Sequence, residues 1–115
     1  MNTMSDVNGW ITAEDVSAVY AKLKEHYELL LTNTYAVDDG FMVDAPILVG
    51  KAHGFELWLY EDGGEFILDV LDASHTRGTH WHPENVESAA ADVVAFMEGR
   101  LSEGLQRLPR LRTRI

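Results

Sequence analysis

The sequence contains no cysteine. This absence excludes a disulfide framework, a thiolate nucleophile and any zinc site that uses thiolate ligands. The first ten residues show neither the basic nor the apolar part of a secretory signal. No apolar run approaches the roughly 18 residues of a transmembrane helix. We therefore expect a cytoplasmic protein without a membrane partner.

Basic side chains are few, with nine Lys and Arg against 19 Asp and Glu and a net charge of −10. Such an acidic chain repels a phosphate backbone, which argues against nucleic acid as a general partner. The imbalance is uneven, because residues 1–99 carry a net −14 and residues 100–115 a net +4. We expect a single domain over residues 1–99, followed by a basic C-terminal tail over residues 100–115 that takes part in an interaction.

Two amphipathic patterns predict helices. The first runs from about Ala13 to Leu31 with Thr12 as its N-cap, and a loop follows from Asn33. The second begins with Pro83 at the first helical position and ends before Gly99 in the C′ position. Each has apolar residues at helical spacing, which gives it one face to bury.

Between the helices the apolar residues alternate with the period of a β-strand. The segments 55–60 and 66–71 alternate around Asp62-Gly63-Gly64, a strong hairpin signal. Residues 47–49 and 79–82 are further strand candidates, and Gly50 and Gly54 mark a bulge or a turn. We predict an α+β fold with an N-terminal helix, a three- to four-stranded antiparallel meander and a C-terminal helix. Both helices lie on one face of the sheet.

Aromatic residues are expected on the opposite face of this sheet. If Phe55, Leu57 and Leu59 face the helices, Trp58 and Tyr60 face away from them. Exposed Trp and Tyr beside aliphatic side chains are typical of binding surfaces. The alternative is that the tail or the 33–46 loop covers this face. The candidate binding residues are Trp58, Tyr60, Leu71, His80, Trp81 and His82, with Trp81 facing opposite to the two histidines.

Three histidines, His75, His80 and His82, fall within eight positions. On a strand His80 and His82 share a face, so that with Asp72 or Glu84 they could chelate zinc or nickel. The commoner interpretation is structural, with His82 capping a helix and His80 pairing across the sheet. We expect no physiological metal and no cofactor, and a metal-dependent protein is the third hypothesis.

Catalytic signatures are absent from the sequence. It has neither a Gly-x-Ser-x-Gly elbow nor a glycine-rich phosphate loop, so we expect no enzymatic activity. The acidic loops suggest an alternative function, an inhibitor or immunity-type protein that imitates nucleic acid or binds a toxin. A plain solvated acidic surface is the simpler explanation of the same residues.

The tail has a pattern of its own. Leucines at 101, 105 and 108 have helical spacing up to Pro109, which ends a helix. Beyond it Arg110, Arg112 and Arg114 alternate with Leu111, Thr113 and Ile115, as in an extended amphipathic segment. We expect this segment to dock on an acidic protein surface, favouring a surface across a homodimer. An approach to anionic lipid is opposed by the acidic body.

The sequence resembles two groups of known proteins. The helix–three-strand–helix order is similar to that of double-stranded RNA-binding domains. Those domains start their second helix with lysines, whereas residues 82–87 read HPENVE, which removes the RNA-binding inference. The hairpin 55–71, the run 79–83 (THWHP) and the helix ending at 96–99 (FMEG) resemble a group of small bacterial proteins without an assigned activity. That resemblance covers residues 46–99 and implies a bacterial, cytoplasmic, single-domain protein.

The leading hypothesis is a protein-binding or self-associating accessory domain.

Overall fold

The computed structural model describes residues 10–36, 42–72 and 78–100. It contains two helices and five strands, in the chain order α1 (Ala13–Leu23), β1 (Leu29–Ala36), β2 (Met42–Ala52), β3 (Phe55–Asp62), β4 (Glu65–Asp72), β5 (Gly78–Trp81) and α2 (Val86–Met97). The strands form one antiparallel sheet in the order β1-β2-β3-β4-β5. The predicted α+β meander is confirmed, with one strand more than the sequence indicated.

The first helix is shorter than predicted. It begins as expected, where the Thr12 backbone N–H donates to Asp15 Oδ2 at 2.9 Å. It ends at Leu23, and the chain turns over residues 24–28 before β1. A short apolar run such as Leu29–Leu31 fits a helix or a strand equally well by pattern alone. Pairing with β2 decides for the strand, because it satisfies the backbone groups of this segment that face β2.

The predicted hairpin between β3 and β4 is confirmed. Asp62 pairs with Glu65, and the two residues between them, Gly63 and Gly64, have φ angles of 65° and 86°. Two consecutive positive φ angles are what a type I′ turn requires. A second two-residue turn, His53-Gly54, joins β2 to β3. Gly50 lies within β2 instead, against Leu29 and the Met97 sulfur, so it permits close packing there.

The second helix begins three residues later than predicted. Asn85 is its N-cap and accepts the Ser88 N–H at 2.8 Å, so Pro83 precedes the helix. Its end is as expected, because Gly99 has a φ of 80°. The N–H groups of Gly99 and Arg100 donate to the carbonyls of Phe96 and Ala95. This pairing is a Schellman motif, in which a glycine at C′ redirects the chain.

Both helices cover the same face of the sheet, here called the inner face. Helix α1 contacts β1, β2 and β3, and α2 contacts α1 and β2. The apolar layer between the two helices and the sheet is the main core, to which β3 and β4 contribute every second residue. Its members without solvent exposure are Val16, Val19, Leu48, Leu57, Leu59, Phe66, Leu68, Val70, Ala89 and Val93.

The β3–β4 turn offers a matched pair of glycine substitutions. A Cβ at Gly63 meets nothing within 4 Å, whereas a Cβ at Gly64 lies 2.6 Å from the Trp10 ring. We expect Gly63→Ala to lower the free energy of unfolding by about 1–2 kcal/mol, the cost of a left-handed backbone. Gly64→Ala should cost more, because Trp10 must also move. Urea denaturation measures both, and equal losses in the two variants would contradict the contact with Trp10.

Candidate functional site

The face of the sheet that lies opposite the helices, here called the outer face, holds a continuous row of side chains across all five strands. Cross-strand pairing places its members side by side, in the order Leu30, Val49, Trp58, Asp69 and His80. Glu56 pairs with Leu71 on one side of this row, and Tyr60 pairs with Ile67 on the other. Trp58 therefore lies between Tyr60 and Leu71, two other candidate binding residues.

Two hydrogen bonds tie the outer-face aromatics to carboxylates. The Trp58 indole Nε1–H donates to Glu56 Oε2 at 2.7 Å, and the Tyr60 hydroxyl donates to Asp69 Oδ2 at 2.9 Å. Both aromatic side chains are half-buried. The bonds fix the ring orientations, so the outer face presents rigid amphipathic rings beside two negative charges.

Asp69 sits at the centre of this arrangement and is also half-buried. Its burial raises the pKa of its carboxyl, while the Tyr60 hydrogen bond and the nearby His80 and His82 act in the opposite direction. Desolvation thus dominates, and the ionised form is disfavoured relative to an aspartate in water. A cationic group placed on the outer face would relieve this cost.

The histidines occupy the end of the row. His80 is exposed and pairs with Asp69 across the sheet, as expected. The His82 ring lies 5.6 Å from the His80 ring, and its Nδ1 is 3.1 Å from the Phe66 carbonyl oxygen. His82 therefore links to β4 and does not cap α2, since Asn85 is the N-cap.

The proposed metal group is only partly covered by the structure. His75 lies outside the described residues. Within the ranges 10–36, 42–72 and 78–100, no three His, Asp or Glu side chains come together in a way that could hold a metal ion. The arginines of the tail, Arg110, Arg112 and Arg114, also lie outside the described residues.

Trp81 lies on the inner face, away from the other candidate residues. Its cross-strand partner is the buried Leu68, and its indole Nε1–H donates to Asp92 Oδ2 of α2 at 2.9 Å. It packs against the main core. The expected opposition of Trp81 and His80 holds, but Trp81 cannot share a surface with Trp58.

Two members of the outer face were missed by the sequence analysis. Leu30 was missed because residues 29–31 fit the predicted helix, which concealed β1. Val49 lay in a predicted strand whose faces were not assigned. Exposure varies along this face. Leu30 is 59% exposed, whereas Ile47, the partner of Thr32, is only 2% exposed. Ile47 is not among the residues of the main core.

Apart from the outer face, the structure has a groove between the starts of the two helices. This groove of about 670 Å³ is bordered by Ile11, Gly64 and Pro83. Its ionisable lining is mostly acidic and consists of Asp15, Glu65, Glu84 and Glu87, with Lys22 and His82. The groove therefore has the charge to receive a basic group.

Comparison of the chain with protein-family models, curated proteins and solved structures gives no match. Neither helix in the described part of the chain is long and apolar enough to cross a membrane. The similarity to small bacterial proteins remains an expectation. Function has to be argued from the chemistry of the outer face.

The raised pKa of Asp69 leads to a pH-dependent prediction. The folded state binds a proton at Asp69 more readily than the unfolded state, so this group's contribution to stability falls as pH rises above the unfolded pKa. We expect Asp69→Asn, which still accepts the Tyr60 hydrogen bond, to be at least as stable as wild type at pH 7. Any gain in stability over wild type should vanish near pH 3, about a unit below the usual aspartate pKa.

Thermal melts across this pH range measure the effect. Glu25→Gln is the control, because it removes one negative charge from an exposed turn. An equal shift in the two variants would mean that net charge, and not burial of Asp69, is responsible.

Proposed function

We propose that this protein is a non-enzymatic accessory domain that binds another protein chain through the outer face of its sheet. The observation that carries the proposal is the row of aromatic and apolar side chains centred on Trp58, with both helices packed on the opposite face. Tyr60 and Leu71 extend it on either side. Rings of this kind supply contact area at low entropic cost.

The carboxylates on the outer face favour a protein partner of opposite charge. Glu56 and Asp69 lie beside the rings, and residues 1–99 carry a net −14. A nucleic acid would be repelled, whereas a basic protein segment would be attracted and correctly oriented. Both carboxylates already accept hydrogen bonds from aromatic side chains, which suits a binding surface better than proton transfer.

An acidic inhibitor or immunity-type protein is the second candidate function. The groove between the starts of α1 and α2 supports it, because four carboxylates line one concave region. In that case the basic partner would dock in this groove, which Glu65 and His82 also line, and not over Trp58. The two proposals therefore differ in which surface a partner covers.

Site-specific photo-crosslinking distinguishes the two surfaces. Benzoylphenylalanine at Leu71 tests the outer face, and the same residue at Glu87 tests the groove, since Glu87 lines it and is exposed. After irradiation in cells, we expect adducts with a second protein chain from position 71 and not from position 87. The reverse pattern would favour the inhibitor, and no intermolecular adduct at 71 would contradict outer-face binding.

A paired substitution checks that Trp58 is responsible. Trp58→Glu replaces the ring by a further negative charge beside Glu56 and Asp69, and we expect it to abolish the adduct from position 71. Trp10→Glu is the matched control, because Trp10 is 56% exposed and lies against the β3–β4 turn instead. Thermal melts of both variants verify that they remain folded, and retention of the adduct in Trp58→Glu would remove Trp58 from the surface.

A further inference from the structure

The aromatic and acidic side chains of β3 form a ladder with a fixed repeat. Glu56, Trp58 and Tyr60 all face outward, and successive members are separated by two residues, or roughly 6.7 Å. Asp69 stands beside both rings, as the cross-strand partner of Trp58 and the acceptor of the Tyr60 hydroxyl. The ladder thus has a carboxylate at its first step and a ring at each of the next two, with the Asp69 carboxylate beside both rings.

Guanidinium groups suit such a ladder better than other cations. The planar group stacks on the face of a Trp or Tyr ring and donates paired hydrogen bonds to a carboxylate. An ammonium group makes only the point-charge contact. An extended segment with arginine at every second position would place one guanidinium over each step of the ladder.

The chain contains such a segment. Arg110, Arg112 and Arg114 alternate with Leu111, Thr113 and Ile115 at the C-terminus, within a tail of net charge +4. In an extended conformation its three arginines repeat every two residues, the same repeat as the ladder. We propose that the outer face is a guanidinium-binding site and that residues 110–115 of the same chain occupy it when no partner is bound.

The described structure places the start of the tail at the correct end of the ladder. Gly99 lies against the His53 ring, and His53 Nε2 is 3.2 Å from the Met97 carbonyl oxygen. Arg100, the next residue, forms a 3.0 Å ion pair with Glu98, which also accepts the Tyr27 hydroxyl. The tail therefore leaves beside the β2–β3 turn, which directly precedes β3.

The length of the intervening chain is sufficient. Residues 101–109 span at most about 30 Å when extended, and eight of them still cover about 12 Å as a helix. Passing from the helix layer round the β2–β3 turn to a segment on the outer face crosses two layer spacings, or roughly 20 Å, which the extended chain covers and the helical chain does not. Arg110 then lies near Glu56, Arg112 near Trp58, and Arg114 near Tyr60 and Asp69.

Occupation by the same chain follows from the tether. A short linker gives a local concentration in the millimolar range, which exceeds that of a second copy in dilute solution. This inference rests on the proposed function, because it names what the outer face accepts: an extended, arginine-bearing segment. A partner with the same chemistry would displace the tail.

The absence of cysteine makes the placement testable by disulfide trapping. The full chain with Arg114→Cys and Ile67→Cys pairs a tail position with the neighbour of Tyr60. The control joins Arg114→Cys to Glu87→Cys, an exposed position on α2. We expect an intramolecular disulfide in the first protein at least about tenfold faster than in the control, because docking concentrates one thiol near the other.

Mass spectrometry and non-reducing gels read the outcome. Equal rates in the two proteins would overturn the docking of the tail. A disulfide-linked dimer in the first protein would show that a second copy supplies the segment, which overturns occupation by the same chain. Intermolecular photo-adducts at Leu71 without the intramolecular disulfide would leave the proposed function standing and this inference rejected.

The chemistry of recognition has its own test in the full chain. Replacing Arg110, Arg112 and Arg114 together by Gln should shift the Trp58 indole N–H signal in NMR spectra and leave the Trp10 signal in place. Replacement by Lys should restore only part of the wild-type spectrum, because the bidentate and stacked contacts are lost. Leu111→Gln is the control on the opposite side of the segment. An unmoved Trp58 signal in the triple Gln variant would contradict the site.

Discussion

The apolar layer between the sheet and the two helices is the contact on which the rest of the structure depends. Each large aliphatic or aromatic side chain buried there contributes roughly 1.5–3 kcal/mol, against a total stability of about 5–15 kcal/mol for a domain. Two helices of 11 and 12 residues cover only one side of a five-stranded sheet. Burial of Leu57, Leu59 and Leu68 on that side therefore fixes which residues face outward.

Once these side chains are buried, the strand register determines which residues are neighbours on the outer face. In a meander the partner of a residue moves regularly along the chain, so Trp58, Asp69 and His80 become neighbours although eleven positions separate each from the next. A slip of one residue in β4 would exchange Asp69 for the buried Leu68 and place a carboxylate in the core. Core packing thus protects the arrangement of polar and aromatic groups on the opposite face.

The parts of the fold predictable from sequence are those with a local physical cause. Gly63 and Gly64 supply two positive φ angles, and Gly99 ends α2, since these conformations favour glycine in any context. The alternation of apolar and polar residues in β3 and β4 indicates a sheet that is buried on one face. The identity of β1 has no such local cause, because Leu29 to Leu31 suit either element and only pairing with β2 selects the strand.

The same distinction applies to the candidate site. Trp58 and Tyr60 could be assigned to one face because they share a strand with a clear inner row. Trp81 could not be placed relative to them, because its face depends on cross-strand pairing with Leu68. The start of α2 was likewise hard to place, because Pro83 and Asn85 are both typical of helix starts. In the structure Asn85 is the N-cap, and Pro83 precedes the helix.

The outer face combines two features that are each unfavourable in isolation. Half-buried rings such as Trp58 leave apolar surface in contact with water, and half-buried carboxylates such as Asp69 lose part of their hydration. An apolar partner would cover the rings and desolvate Asp69 further. A freely hydrated cation would neutralise the charge and leave the rings exposed. Arginine satisfies both needs, because its guanidinium stacks on a ring while it pairs with a carboxylate, and its apolar stem covers the surface between them. For the proposed guanidinium site, hydrophobicity and charge together therefore restrict the ligand more narrowly than either property does alone.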